Sequence, residues 1–273
     1  MLNLPVIDAH HHFDGPAPLA QHGPDQLWPE LEAERISGTV LAVSEPSSLR
    51  TRELLVLAAG IPWIRGVVGW VDLTADDVGA TIRALREGPG GALLVGLRHP
   101  ACDEQDPAWL ARDDVRQGLA AVAETGLAFD LGVCPRELAA ATRACAALPD
   151  MRFVLEHLAA PPIASGDLSA WGGAILELAE LSNVGASLSG LVAAADPLTW
   201  SIDDLRHPVE LAVDAFGPER LMLGSDWPAC LAAGTYGDAL DVMRYLLAEL
   251  PGHQQDEVRG TTAVRVYRLA GGA

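Results

Sequence analysis

The chain of 273 residues contains no lysine, so all 18 of its positive side chains are arginine. That absence excludes Schiff-base chemistry on a lysine, and it excludes a carboxylated lysine bridging two metal ions. Positive charge is scarce as well: 37 acidic residues give a formal net charge of -19. Nucleic-acid binding draws its affinity from clustered cations, and anionic membranes attract the same groups, so neither is an expected partner. No apolar run reaches the roughly 18 residues of a membrane span, and no basic segment followed by an apolar one opens the chain. The four cysteines, Cys102, Cys134, Cys145 and Cys230, show no CxxC spacing. They read as free thiols of a reducing compartment, which makes the cytoplasm the expected location.

What is present is core-forming material: 49% of residues are apolar and 20% charged. One domain spanning 1–273 is the expectation, since α/β barrels reach about 250 residues as single units. Eight β-rich runs recur, at 4–10, 39–45, 67–73, 93–98, 128–133, 152–157, 183–189 and 221–226. Segments such as DDVGATIRALREG, VRQGLAAVAETG, PRELAAATRACAALPD and PVELAVDAFGPER lie between them. Each repeats apolar residues three and four apart and stops near Gly or Pro, as helices do. YGDALDVMRYLLAEL would follow the eighth strand. The alternation predicts an α/β fold, a (β/α)8 TIM barrel.

The polar residues fall at the C-terminal ends of the apolar runs, which in a barrel share the face where active sites lie. His10 and His12 are two apart on extended backbone and project to one side, flanked by Asp8 and Asp14, while His11 points the other way as a structural group. Neutral imidazole is a common zinc ligand. His157 ends FVLEH, and Asp226 ends LMLGSD, where a carboxylate needs a partner because burying it alone is too costly. Beside the histidines, Asp226 is suited to bind a metal and to take a proton from water. Arg98 and His99 follow the fourth run as candidate substrate contacts. Trp28 and Trp227 are candidate stacking surfaces for a ring, whereas Trp70 and Trp109 read as ordinary core. Arg112, Arg116 and Arg206 stand among acids and read as solvated helix faces.

The motifs IDAHHHF, GLRHP, FVLEHLAAPPI, SLSGL and LMLGSDWPACLAAGTYGDALDVM together resemble the amidohydrolase-related (amidohydrolase 2) family. The likeness is to its sugar-lactonase branch of L-fuconolactonase-like and L-rhamnonolactonase-like hydrolases, and it runs in order from about residue 5 to residue 269. It implies a barrel of the metal-dependent hydrolase type. His10, His12, His157 and Asp226 then match the metal or water-activating positions, and Arg98 and His99 match a substrate-contacting pair. Related pyrone-dicarboxylate lactonases work without a metal, so the implied cofactor is at most one divalent ion, zinc or manganese, with a metal-independent route left open. Two departures stand out: Ser187 replaces the lysine of KLSGL, and Thr262 occupies a usual asparagine position, where it would concern helix packing.

The function so implied is a hydrolase opening a small-molecule sugar-acid lactone, with Asp226 as base, the histidines polarising the carbonyl and Arg98 steadying the substrate. Two alternatives remain at this point: a metal-dependent non-oxidative decarboxylase of the same superfamily, and a non-catalytic barrel that binds a sugar or metal. A homo-oligomer is left open.

Overall fold

Short apolar runs rich in Val, Leu and Ala become the strands of one parallel sheet, ordered as they occur in the sequence. In the computed structural model, which describes residues 4–13, 22–196 and 198–270, these are β1 (Ile7–His11), β2 (Gly38–Ala42), β3 (Ile64–Gly69) and β4 (Leu94–Pro100). They continue as β5 (Ala128–Gly132), β6 (Phe153–Leu155), β7 (Val184–Leu188) and β8 (Leu221–Leu223). Asp14 lies outside the described residues. The ring closes beyond the end of β8: the Asp226 amide donates to the His10 carbonyl at 2.9 Å, and the His12 amide donates to that of Trp227 at 2.8 Å. The seam of the (β/α)8 barrel is therefore built from the residues singled out for chemistry.

Around the strands run α1 (Pro24–Ala33), α2 (Ser48–Ala59), α3 (Val78–Glu87), α4 (Asp113–Thr125), α5 (Leu138–Ala147) and α6 (Ser169–Ala179). They are followed by α7 (Leu191–Ala194), α8 (Ile202–Phe216), α9 (Tyr236–Leu246), α10 (Gly252–Asp256) and α11 (Thr262–Tyr267). Strand alternation divides the apolar residues into two layers. Leu41, Val67, Leu97, Phe129 and Leu155 face the helices, whereas Val40, Ala42, Val68, Ala128, Val154 and Met222 fill the barrel. Ala263 and Tyr267 of α11 and the following Leu269 pack into that interior layer and close its floor. Thr262 fits its expected packing role: its buried hydroxyl donates to the Glu219 carbonyl just before β8, at 3.1 Å.

The cysteine reading needs correction. Parallel pairing of β4 with β5 brings the segments that follow them together, and Cys102 and Cys134, 32 residues apart, form a disulfide with a Cα–Cα distance of 5.3 Å. Only Cys145 and Cys230 remain thiols, both buried, and the argument for a reducing compartment falls with the pair. Among the described residues no helix is long and apolar enough to cross a membrane.

Candidate active site

β1 supplies three histidines with two orientations. His10 and His12 turn into the mouth, their rings edge to face at 4.7 Å and their Nε2 atoms 3.0 Å apart. Nδ1 of His12 is 2.7 Å from the Ala42 carbonyl, which only accepts, so that nitrogen donates a hydrogen and Nε2 is the one left facing the mouth. Burial, reinforced by the neighbouring His157 and His12, drives the pKa of His10 well below the usual histidine range and keeps its ring neutral. His11 faces the helix layer, with Nε2 on the Thr39 hydroxyl at 2.9 Å and its ring against Phe13 and Trp63. Asp8, one turn of the pleat earlier, accepts from the Ser225 amide and hydroxyl and from the Tyr236 hydroxyl, so it clamps β1 to the loop that carries Asp226. Burial nevertheless pushes its pKa up to about 6.

His157 and Asp226 do not end their strands; each lies beyond one, in left-handed backbone. His157 has φ 52°, the first of four consecutive positive values through Ala160, and Asp226 has φ 56°. Non-glycine residues enter this region at a cost of roughly 1–3 kcal/mol each, and such strain concentrates at functional sites. The turn aims His157 back over the barrel: its ring lies 4.6 Å from that of His10, and its Nε2 3.9 Å from Asp226 Oδ1. His12 Nε2 stands 4.0 Å from the same oxygen. Gly190 seals the far side at φ 66°, where a Cβ would come within 2.7 Å of His157 Nδ1. Donor atoms of His10, His157 and Asp226 lie within 4.8 Å of one another. Imidazole nitrogens gathered beside a carboxylate are the donor types that fit a single zinc-like cation.

Arg98 differs from the expectation. Alternation turns it into the barrel beneath the mouth, where Nε and Nη2 grip Glu156 at 2.7 and 2.6 Å and Nη1 donates to the Val43 carbonyl at 2.8 Å. Burial opposes its charge, but Glu156 outweighs that and raises its pKa. Lower still, Asp130 accepts from Tyr267 at 2.7 Å, and burial together with the Glu156 charge holds its pKa well above the usual carboxylate range. His99 forms a wall, stacked on Trp109 at 3.8 Å and held between the Trp70 indole and Glu104. The two tryptophans read as core thus hold a histidine.

Of the candidate stacking surfaces, Trp227 is buried against Phe13 and His22, whereas Trp28 is exposed on α1 and stacks on Trp63, whose ring in turn lies 6.1 Å from that of Phe13. Sequence reasoning also passed over Glu156, Asp130, Ser189 and Glu104, and noted Asp8 only as a flank of the histidines. A signal existed for two of them, since Glu156 in FVLEH and Asp130 in AFDLG interrupt apolar runs and buried acids require partners.

Comparison with known proteins agrees with this geometry. The amidohydrolase family model (Amidohydro_2) matches residues 7–269. An L-fucono-1,5-lactonase from Burkholderia ambifaria is 38% identical over 85% of this chain and 83% of its own length. A second L-fucono-1,5-lactonase, from Burkholderia multivorans, is 33% identical over 96% of both chains. The crystal structure of an amidohydrolase from Burkholderia multivorans with bound zinc superposes with a TM-score of 0.91 at 32% identity, covering 97% of this chain and 100% of that one. With the match extending from the first strand to the last helix, the chain belongs to the amidohydrolase family.

Proposed function

We propose that the protein hydrolyses a sugar-acid lactone, with a ring of the size and stereochemistry of L-fucono-1,5-lactone as the leading substrate. The observation that carries this reading is the convergence of three imidazoles and one carboxylate at the mouth, in a chain 38% and 33% identical to two L-fucono-1,5-lactonases. Asp226 takes a proton from water as the oxygen attacks the lactone carbonyl carbon. His157, across a 3.9 Å gap from Asp226 Oδ1, supports the oxygen on which charge develops. The ring C–O bond then breaks, and the proton held by Asp226 passes to the departing alkoxide, which leaves a hydroxy acid. His10, His12, His157 and Asp226 would surround at most one divalent ion, zinc or manganese by their chemistry. When bound, that ion supplies Lewis-acid polarisation of the carbonyl.

The Arg98–Glu156 pair keeps the floor of the site rigid, and His99 bounds it on the β4 side. The test is a panel of aldonolactones assayed for acid release with and without chelator, with metal content measured and carbon dioxide monitored. Acid release without carbon dioxide, fastest with L-fucono-1,5-lactone or a close stereoisomer, supports the reading. Carbon dioxide from an aromatic or dienoic acid would replace it with a decarboxylase.

A further inference from the structure

Behind His157 lie two buried hydroxyls that the reaction as described does not use. The His157 amide donates to Ser187 Oγ at 3.1 Å, Ser187 Oγ and Ser189 Oγ are 2.8 Å apart, and Ser189 Oγ is 2.9 Å from His157 Nδ1. The four groups close a ring: main-chain N–H, hydroxyl, hydroxyl, imidazole nitrogen. Both serines are buried, at 2% and 3% exposure, so water does not relax the count of hydrogens.

Only one direction satisfies every hydrogen. Ser187 Oγ already accepts from the amide, and among the described residues the sole acceptor within reach of its own hydrogen is Ser189 Oγ. The Ser189 hydrogen is then directed at His157 Nδ1, which must present a lone pair. The reverse direction, with Nδ1 donating to Ser189, leaves one buried hydroxyl hydrogen without an acceptor, a state that folded proteins avoid. His12 shows the opposite arrangement, since its Nδ1 faces a carbonyl that can only accept.

We propose that Ser187 and Ser189 are positioning residues whose one-way hydrogen-bond ring keeps the His157 proton on Nε2, so that this imidazole faces the gap to Asp226 as a hydrogen-bond donor and not as a metal ligand. The inference rests on the lactonase reading for what the donor does, which is to hold the carbonyl oxygen as it gains charge. It divides the four mouth residues into His10, His12 and Asp226 for an ion and His157 for substrate. It also gives a purpose to the serine at position 187, because a lysine there could give hydrogens but could not pass one on as a hydroxyl does.

The test is the tautomer itself, read from long-range proton–nitrogen spectra of 15N-histidine-labelled protein as purified, with His157 assigned by its loss in His157→Gln. The expected spectrum shows His157 protonated on Nε2 and unprotonated on Nδ1. In Ser189→Ala the tautomer preference is lost, kcat for L-fucono-1,5-lactone falls about 10- to 100-fold with KM held within about twofold, and Ser189→Thr restores both. Metal content per chain stays at the wild-type level in Ser187→Ala and Ser189→Ala. A wild-type His157 protonated on Nδ1, loss of metal on removing either hydroxyl, or a Ser189→Ala protein with wild-type tautomer and kcat would each overturn the proposal. The spectrum decides even if no lactone is turned over, so failure of this inference is distinguishable from failure of the lactonase reading.

Discussion

At the scale of single residues, neighbours in sequence have opposite roles because the pleat sends them to opposite faces. His11 is the clearest case: burial lowers its pKa to about 3, against an unfolded value of 6.5. A depressed basic group contributes stability that is present above the unfolded pKa and is lost as pH falls toward the folded one, because the unfolded chain binds the proton first. Stability should therefore decline from pH 6.5 downward with about 1.4 kcal/mol per pH unit from this proton alone. His10 and His99 are shifted in the same direction and add to the slope. Urea unfolding at pH 7 and pH 5 should show a smaller acid loss in His11→Gln than in wild type; equal losses would mean that His11 is not buried neutral.

Arg98 makes a second prediction at this scale. Removing one partner of a buried ion pair costs about 3–5 kcal/mol, so Arg98→Met should be destabilised by that amount through the orphaned Glu156, and Arg98→Met with Glu156→Leu should recover most of it. A fully stable Arg98→Met with a raised KM would return Arg98 to the substrate. That His10, His12, His157 and Asp226 would meet was readable from sequence because histidines and an acid after apolar runs have few packing uses. The ion pair was not, since whether Arg98 reaches up to substrate or across to Glu156 depends on barrel radius, which no local pattern encodes.

At the scale of elements, the strands were legible in number and order, and their ends were less so. β6 and β8 stop after three residues each, because His157 and Asp226 leave extended backbone for left-handed turns that apolar periodicity does not announce. β3 begins earlier than VVGWVDL suggests, at Ile64. Helices α1, α2 and α6 escaped the periodic reading for separate reasons. Pro29 interrupts α1, Leu49, Val56 and Leu57 are exposed on α2 and blur its stripe, and α6 carries Gly172 and Gly173. The disulfide was illegible, since only the pairing of β4 with β5 makes Cys102 and Cys134 neighbours. Burial raises the pKa of both remaining thiols and hides them. Thiol titration should give no reactive group in the native protein, two on unfolding and four after reduction. Loss of the cross-link should lower stability by about 3–4 kcal/mol by the loop-entropy estimate. Four thiols in the unreduced, unfolded protein would contradict the pairing.

At the scale of the whole molecule, a net charge of -19 surrounds a site proposed to take an uncharged lactone and release an anion. A neutral substrate is not steered by this field, so kcat/KM should change less than about twofold between low and high salt. A steep fall with salt would indicate a charged substrate. Whether the barrel mouth opens a sugar lactone with Asp226 as the base is read from initial rates of acid release from L-fucono-1,5-lactone by wild type and by Asp226→Asn matched in melting temperature. Wild-type turnover should lie well above the spontaneous rate, with a loss of about two to four orders of magnitude in the variant. Wild-type protein at the spontaneous rate across the aldonolactones, or a variant that keeps more than about a tenth of wild-type activity, would contradict it.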